Sequence, residues 1–191
     1  MTEYRADLPP DLTVPERHPE APAAGVELPS HYVRCFGCGS GEPDGLHLRA
    51  FAGPGLTLQA RFDVTEHHQG APGLGHGGLL TCALDETLGL LSHLTRTSRV
   101  TARLETDFRR PVPVGSTLFI DARVDGVSGR KSYVSAEGRL DTADGPVAVQ
   151  VRGVFVEVTL QHFITHARAD EVRAIEQDPG LVNLGDYTVN P

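Results

Sequence analysis

The stretch from Gln69 to Glu86 holds the residues best suited to chemistry. His76-Gly77-Gly78 comes first, and the pair Asp85-Glu86 follows among leucines at 79, 80, 84, 88, 90, 91 and 94. A charge among apolar side chains is costly unless it is paired or used. Burial raises a carboxylate's pKa and suits it to general-base work. Asp85 is read as that group, and Glu86 as facing solvent or capping a loop. Glycines at a helix N-terminus expose bare backbone N–H groups, and the helix dipole adds positive potential there. Such donors stabilise the oxyanion that forms when an acyl carbon is attacked. Taken alone, His76-Gly77-Gly78 also fits a tight turn with His76 as a cap, so the weight rests on the combination.

These residues need a scaffold. From Gly77 to Leu94 the leucines cover most of a helical circumference, the pattern of a buried helix. Around it the chain alternates with period two, as half-buried strands do. Leu56, Leu58, Ala60 and Phe62 form one such set, and Val100, Ala102, Leu104, Thr106 and Phe108 a second. Leu118, Ile120, Ala122 and Val124 form a third, and Val134, Ala136, Gly138 and Leu140 a fourth. The last strand, Val147 to Val158, shifts its apolar phase at Gly153, where a β-bulge is expected. Asp125–Gly129 and Asp144-Gly145 read as hairpin turns. The fold class is α+β, an antiparallel sheet around a long central helix. Residues 1–30, with six prolines between Pro9 and Pro29, read as a loose or draped segment. Residues 31–160 form the domain, and 161–191 a short polar helix, near 165–177, with a tail.

Composition narrows the function classes. The chain has 191 residues, 39% hydrophobic and 22% charged, enough for one domain with a real core. Formal net charge is −8 and Lys131 is the sole lysine, which argues against nucleic-acid binding. No apolar run approaches the roughly 20 residues of a membrane span. The N-terminus lacks the basic head and apolar stretch of a secretory signal, so a cytoplasmic home is expected. There is no Gly-x-Ser-x-Gly, P-loop or dinucleotide fingerprint.

With these pieces in order, the sequence resembles the hotdog-fold acyl-CoA thioesterases of the PaaI-like group. The matching stretches are CFGCGSGEPDGLHL at 35–48, HQGAPGLGHGGLLTCALDETLG at 68–89, VTARLETDFRRPVPVG at 100–115 and GRKSYVSAEGRL at 129–140. The resemblance implies hydrolysis of an acyl-CoA or related carrier thioester without a metal or other cofactor. By position it makes Asp85 the carboxylate that activates water or attacks the thioester carbon. It makes Gly77 N–H the main oxyanion donor, with Gly78 supporting the turn. His76 and Gln69 would help place the carbonyl, and Thr101 would stand near the attacking water.

Helix geometry adds a constraint. At about 1.5 Å rise per residue, Asp85 lies about 12 Å along the axis from Gly77. One thioester cannot touch both within one chain, so a homodimer, or a dimer of dimers, with shared sites is expected. Coenzyme A phosphates need cations, and Arg109, Arg110, Arg130 and Lys131, near turns, are the candidates. Arg103 also lies on a flanking strand.

Two other readings remain open. One is an acyl-CoA-binding hotdog module without turnover; the other is an acyl-thioester hydratase or dehydratase. Cys35-x-x-Cys38 has the spacing of half a zinc site or of a redox pair; a zinc site would need two more ligands, from histidines such as His31 or His47. Cys82 belongs to the buried helix. The pair is read instead as an entry turn to the first strand. His67 and His68 are likewise set aside as metal ligands.

Overall fold

The alternating segments become strands because each buries one row of side chains against the leucine-rich helix. The computed structural model describes residues 8–182. In chain order the elements are β1 (Arg49–Ala52), β2 (Thr57–Asp63), β3 (Gln69–Ala71), β4 (Leu74–Gly75), α1 (Gly77–Leu90), α2 (Ser92–Thr95), β5 (Arg99–Phe108), β6 (Thr117–Ser128), β7 (Lys131–Leu140), β8 (Val147–Glu157), α3 (Leu160–His166) and α4 (Ala169–Gln177). Six strands form one antiparallel sheet in the order β1-β2-β6-β7-β8-β5, and β3 and β4 make a small separate hairpin. The helix α1 touches β2, β5, β6, β7 and β8, so it spans most of the sheet's width. This is the α+β hotdog arrangement that the sequence implied.

The core follows the predicted alternation. Leu58, Ala60 and Phe62 of β2 are buried, as are Leu118, Ile120 and Ala122 of β6. They meet Leu80, Ala83, Leu84 and Leu88 of α1, a stripe at helical spacing. Thr87 is fully buried in that stripe and satisfies its hydroxyl by donating to Ala83 C=O at 2.7 Å. The other side of α1 is not sheet-covered. Cys82, Asp85, Glu86 and Gly89 are half-buried there. A helix that reads as apolar all round therefore has only one face against the sheet of its own chain.

Two local expectations are corrected. The bulge is not at Gly153. That glycine pairs in register with Leu104 and Val134 and faces the helix, while the irregularity lies in β5, where Ala102 is skipped between Thr101 and Arg103. The phase shift has another cause: Val154 and Val156 lie on the opposite face of the sheet, in a cavity shared with Leu8 and Pro9. The hairpin turn is also shorter than expected. β6 runs on through Ser128 with a bulge at Asp125, and Gly129, at φ +55°, makes the turn with Arg130.

Residues 8–30 run along the domain. Leu28 N–H donates to Ala50 C=O at 2.8 Å and Ala52 N–H to Val26 C=O at 2.9 Å, so this segment covers the outer edge of β1. Farther back, Thr13 bridges Val127 and His18 N–H reaches Leu94 C=O. At the other end, the polar helix expected near 165–177 is two helices, because Ala167 and Arg168 take extended backbone angles. Among the described residues, no helix is long and apolar enough to cross a membrane.

Candidate active site

The β3–β4 hairpin delivers the chain to the start of α1. Gln69 Oε1 accepts the Gly73 N–H at 3.0 Å and closes the turn, where Gly73 takes φ +72°. Gly70 passes so close to His76 that a Cβ there would lie 2.7 Å from His76 Cα. His76 is the N-cap: its Nδ1 accepts the Gly78 N–H at 3.0 Å, and its carbonyl accepts from Leu79 and Leu80. The Gly78 amide is thereby committed to His76. Among the described residues, no acceptor takes the Gly77 N–H. The Phe108 ring lies beside Gly77; a Cβ on that glycine would sit 3.3 Å from Phe108 Cζ. The helix thus begins with one bare amide against an aromatic ring.

Asp85 lies two turns farther on. Its Oδ1 accepts a hydrogen bond from Thr101 Oγ1 at 2.9 Å, which ties α1 to the start of β5. Burial pushes the Asp85 carboxyl above its ordinary pKa, the Thr101 hydroxyl opposes this, and the charge of Glu86 adds to it. Asp85 and Thr101 line a cavity of about 310 Å³ with His31, Glu86, His93 and Phe163 among its other walls. Burial lowers the His93 pKa to about 4, so this ring is neutral at pH 7.

The remaining predicted residues divide into two groups. Arg109 Nε donates to Gln150 Oε1 at 3.0 Å, and Arg110 Nη1 to Val147 C=O at 2.8 Å, at one end of β8. Arg130 donates from Nε and Nη2 to Glu157 C=O, at the other end. Lys131 begins β7 beside it and lines the cavity on the sheet's opposite face. Between Val147 and Glu157 a strand rises roughly 30 Å. The four cations are therefore two separate pairs within one chain, not one patch.

Of the two readings of Glu86, solvent-facing or loop-capping, the structure takes the loop. The Glu86 side chain is only 13% exposed, and it points at the Cys35–Cys38 loop and His31 rather than at solvent. Spacing along the chain carries no sign of this, since Cys35 and Glu86 are 51 residues apart.

Residues 73–145 match the family model described as the thioesterase superfamily. Curated relatives include the acyl-coenzyme A thioesterase THEM4 of Xenopus laevis, 34% identical over 78 residues, covering 41% of this chain and 35% of that protein. The acyl-coenzyme A thioesterase THEM5 of Mus musculus is 31% identical over 100 residues, covering 52% of this chain and 40% of that protein. The chain thus spans well under half the length of these relatives. Among solved structures, the thioesterase superfamily protein RHA08564 is 28% identical, with a TM-score of 0.61 over 72% of this chain and 70% of that one. The E. coli PaaI protein shares the fold, with a TM-score of 0.55 at 18% identity over 59% of this chain and 80% of that one. The sheet order, the central helix and these matches agree on a hotdog fold, within which residues 73–145 resemble the thioesterase superfamily.

Proposed function

We propose that the protein hydrolyses an acyl-CoA, or a related carrier thioester, to free acid and thiol. The observation that carries this reading is Asp85, a half-buried carboxyl held by Thr101 at a cavity wall. With Oδ1 occupied by Thr101, the other carboxylate oxygen takes the proton of a water that attacks the thioester carbon, or attacks that carbon itself. The developing oxyanion takes the Gly77 N–H, pointing from the positive end of α1. Collapse of the tetrahedral intermediate expels the thiolate, a leaving group that needs little acid assistance; on the direct-attack route this leaves an Asp85 mixed anhydride, which a water then hydrolyses to the free acid and the Asp85 carboxylate. His76 holds the turn through Gly78, Gln69 holds the preceding loop, and each keeps one ring or amide nitrogen for the carbonyl.

One chain does not supply both halves. Gly77 and Phe108 mark one end of α1 and β5, and Asp85 and Thr101 the other. Among the described residues no strand pairs with the outer edge of β5, whereas residues 26–28 cover β1 at the sheet's far edge. Unpaired edges are natural sites for another chain. Antiparallel pairing of β5 with its copy brings Gly77 of one subunit toward Asp85 of the other. The same pairing sets the distant Arg109–Arg110 and Arg130–Lys131 pairs of two chains around each site as candidates for coenzyme A phosphates. THEM4 and THEM5 carry names that state acyl-coenzyme A thioesterase activity, and a hotdog neighbour from Streptococcus mutans was solved with acetyl CoA.

The test is free-thiol release from short, medium, long and aryl acyl-CoAs, with Asp85→Asn as the control. Turnover that drops by about 10²–10⁴ in a folded variant supports the carboxylate role. Undiminished turnover removes it. A folded wild-type protein that binds CoA esters without releasing thiol is a binding module instead.

A further inference from the structure

We propose that His31, Cys35, Cys38 and Glu86 bind one zinc ion as a closed four-ligand site that fastens the N-terminal loop to the central helix. The four residues each offer one ligand atom, and these atoms lie within 4.8 Å of one another. Three individual contacts are tighter. His31 Nδ1 is 3.3 Å from Cys38 Sγ and 3.3 Å from Glu86 Oε1, and Cys35 Sγ is 3.4 Å from Glu86 Oε2. Tetrahedral zinc with bonds of about 2.0–2.3 Å requires ligand–ligand separations of about 3.3–3.8 Å. Those three contacts already stand in that range, and every other ligand pair lies within 4.8 Å.

The donor set fits zinc better than a harder cation. Two sulfurs, an imidazole nitrogen and one carboxylate are the ligands zinc prefers, whereas calcium and magnesium call for oxygen. Cys-x-x-Cys also has the spacing of a zinc-binding turn. The loop is shaped around the cluster. Gly37 N–H donates to Cys35 Sγ at 3.3 Å, a contact that stabilises a thiolate. Gly37 also presses on Glu86 so closely that a Cβ there would lie 2.5 Å from its carboxylate. Glu86 Oε1 is buried and makes no hydrogen bond, although His31 is in reach. A buried carboxylate oxygen without a hydrogen bond calls for a partner, and a cation at the centre of this cluster supplies one.

Bound zinc takes both cysteines as thiolates, His31 as neutral imidazole and Glu86 as carboxylate, and the protons these groups give up go to solvent. Four protein ligands leave no open position, which marks the site as structural rather than catalytic. Its effect is mechanical. Glu86 follows Asp85 on α1, so the loop is clamped one residue from the proposed catalytic carboxylate. The site does not depend on the proposed hydrolysis.

The full chain, purified under reducing conditions without chelator, is expected to hold about one zinc per chain by elemental mass spectrometry. Cys35→Ser/Cys38→Ser is expected to lose it, and Glu86→Gln to hold it more weakly against a chelator. Cys82→Ala, which changes the cysteine outside the cluster, is expected to keep it. Cobalt gives an independent reading that survives if a variant folds poorly. The cobalt-loaded wild type is expected to show a thiolate-to-cobalt charge-transfer band, which halves in Cys35→Ser. The proposal is overturned if zinc-supplemented protein retains no metal and takes up cobalt without that band. It is equally overturned if the folded chain carries a Cys35–Cys38 disulfide in place of metal.

Discussion

Thr101 and Asp85 belong to different elements, yet the Thr101 hydroxyl donates to Asp85 Oδ1 at 2.9 Å. A short donor on the first residues of an edge strand thereby sets the rotamer of a carboxylate on the central helix. A hydrogen bond to a charged group is worth about 1.5–3 kcal/mol. Thr101→Val is expected to lower kcat by roughly 10- to 100-fold with little change in KM, while Thr101→Ser restores most of it. Equal kcat values for the valine and wild-type proteins in steady-state assays would remove Thr101 from the mechanism.

The Gly77 amide can be deleted at the cost of a small shift of the exposed Phe108 ring, which a Cβ at this position would meet at 3.3 Å. Gly77 is the first residue of α1, a position where proline is favoured and where its missing N–H disrupts no helical bond. His76 already has the extended backbone that a following proline demands, at φ −70° and ψ 124°. Gly77→Pro is expected to fold with a helical circular dichroism spectrum like the wild type, and to lose about 10²–10³ in kcat. Retained turnover would place the oxyanion elsewhere.

Shared sites can be counted by mixing. Co-assembled Asp85→Asn and Gly77→Pro chains, each inactive alone, form mixed dimers with one doubly damaged and one intact site. An equal mixture that exchanges subunits freely is expected to recover about a quarter of wild-type activity. No recovery, with mixed dimers confirmed by native mass spectrometry, would show that each site lies within one chain.

Gly153 is a packing test. A Cβ there would meet Phe155 at 3.0 Å, and Leu104 and Leu88 at 3.2 Å each. Gly153→Ala is expected to lower stability by about 1–3 kcal/mol in denaturant titration, through overpacking between sheet and helix. A neutral result would mean that α1 shifts away at no cost.

His68 gives a pH dependence. Burial, and the nearby His67, lower its pKa below the ordinary 6.5. The folded chain therefore binds this proton less readily than the unfolded chain. The stability from neutral His68 is complete above pH 6.5 and falls as the pH drops below that value. Unfolding titrations between pH 7.5 and 5 are expected to show this loss in the wild type and a shallower one in His68→Gln.

Much of this architecture is readable in the residues themselves. Period-two burial in Leu58–Phe62 and Leu118–Val124 marks strands directly, and His76-Gly77-Gly78 marks the helix start. What escapes is whatever depends on a second surface. Val154 and Val156 mimic a bulge because β8 buries side chains on both faces. Ala102 carries no signal that it is the residue skipped in β5. Which loop Glu86 meets is not legible, because its partners, His31 and Cys35, come from far back in the sequence. Long-range encounters of this kind leave no local periodicity to detect.

The outer edge of β5, unpaired by any strand among the described residues, has a consequence for how the protein would behave on dilution. If each site is split across that edge, the active species is the pair, and lone chains carry only disconnected halves. Specific activity then falls with protein concentration once subunits separate, and substrate that bridges the two halves slows that separation. An assay at very low enzyme concentration would then report assembly as much as chemistry.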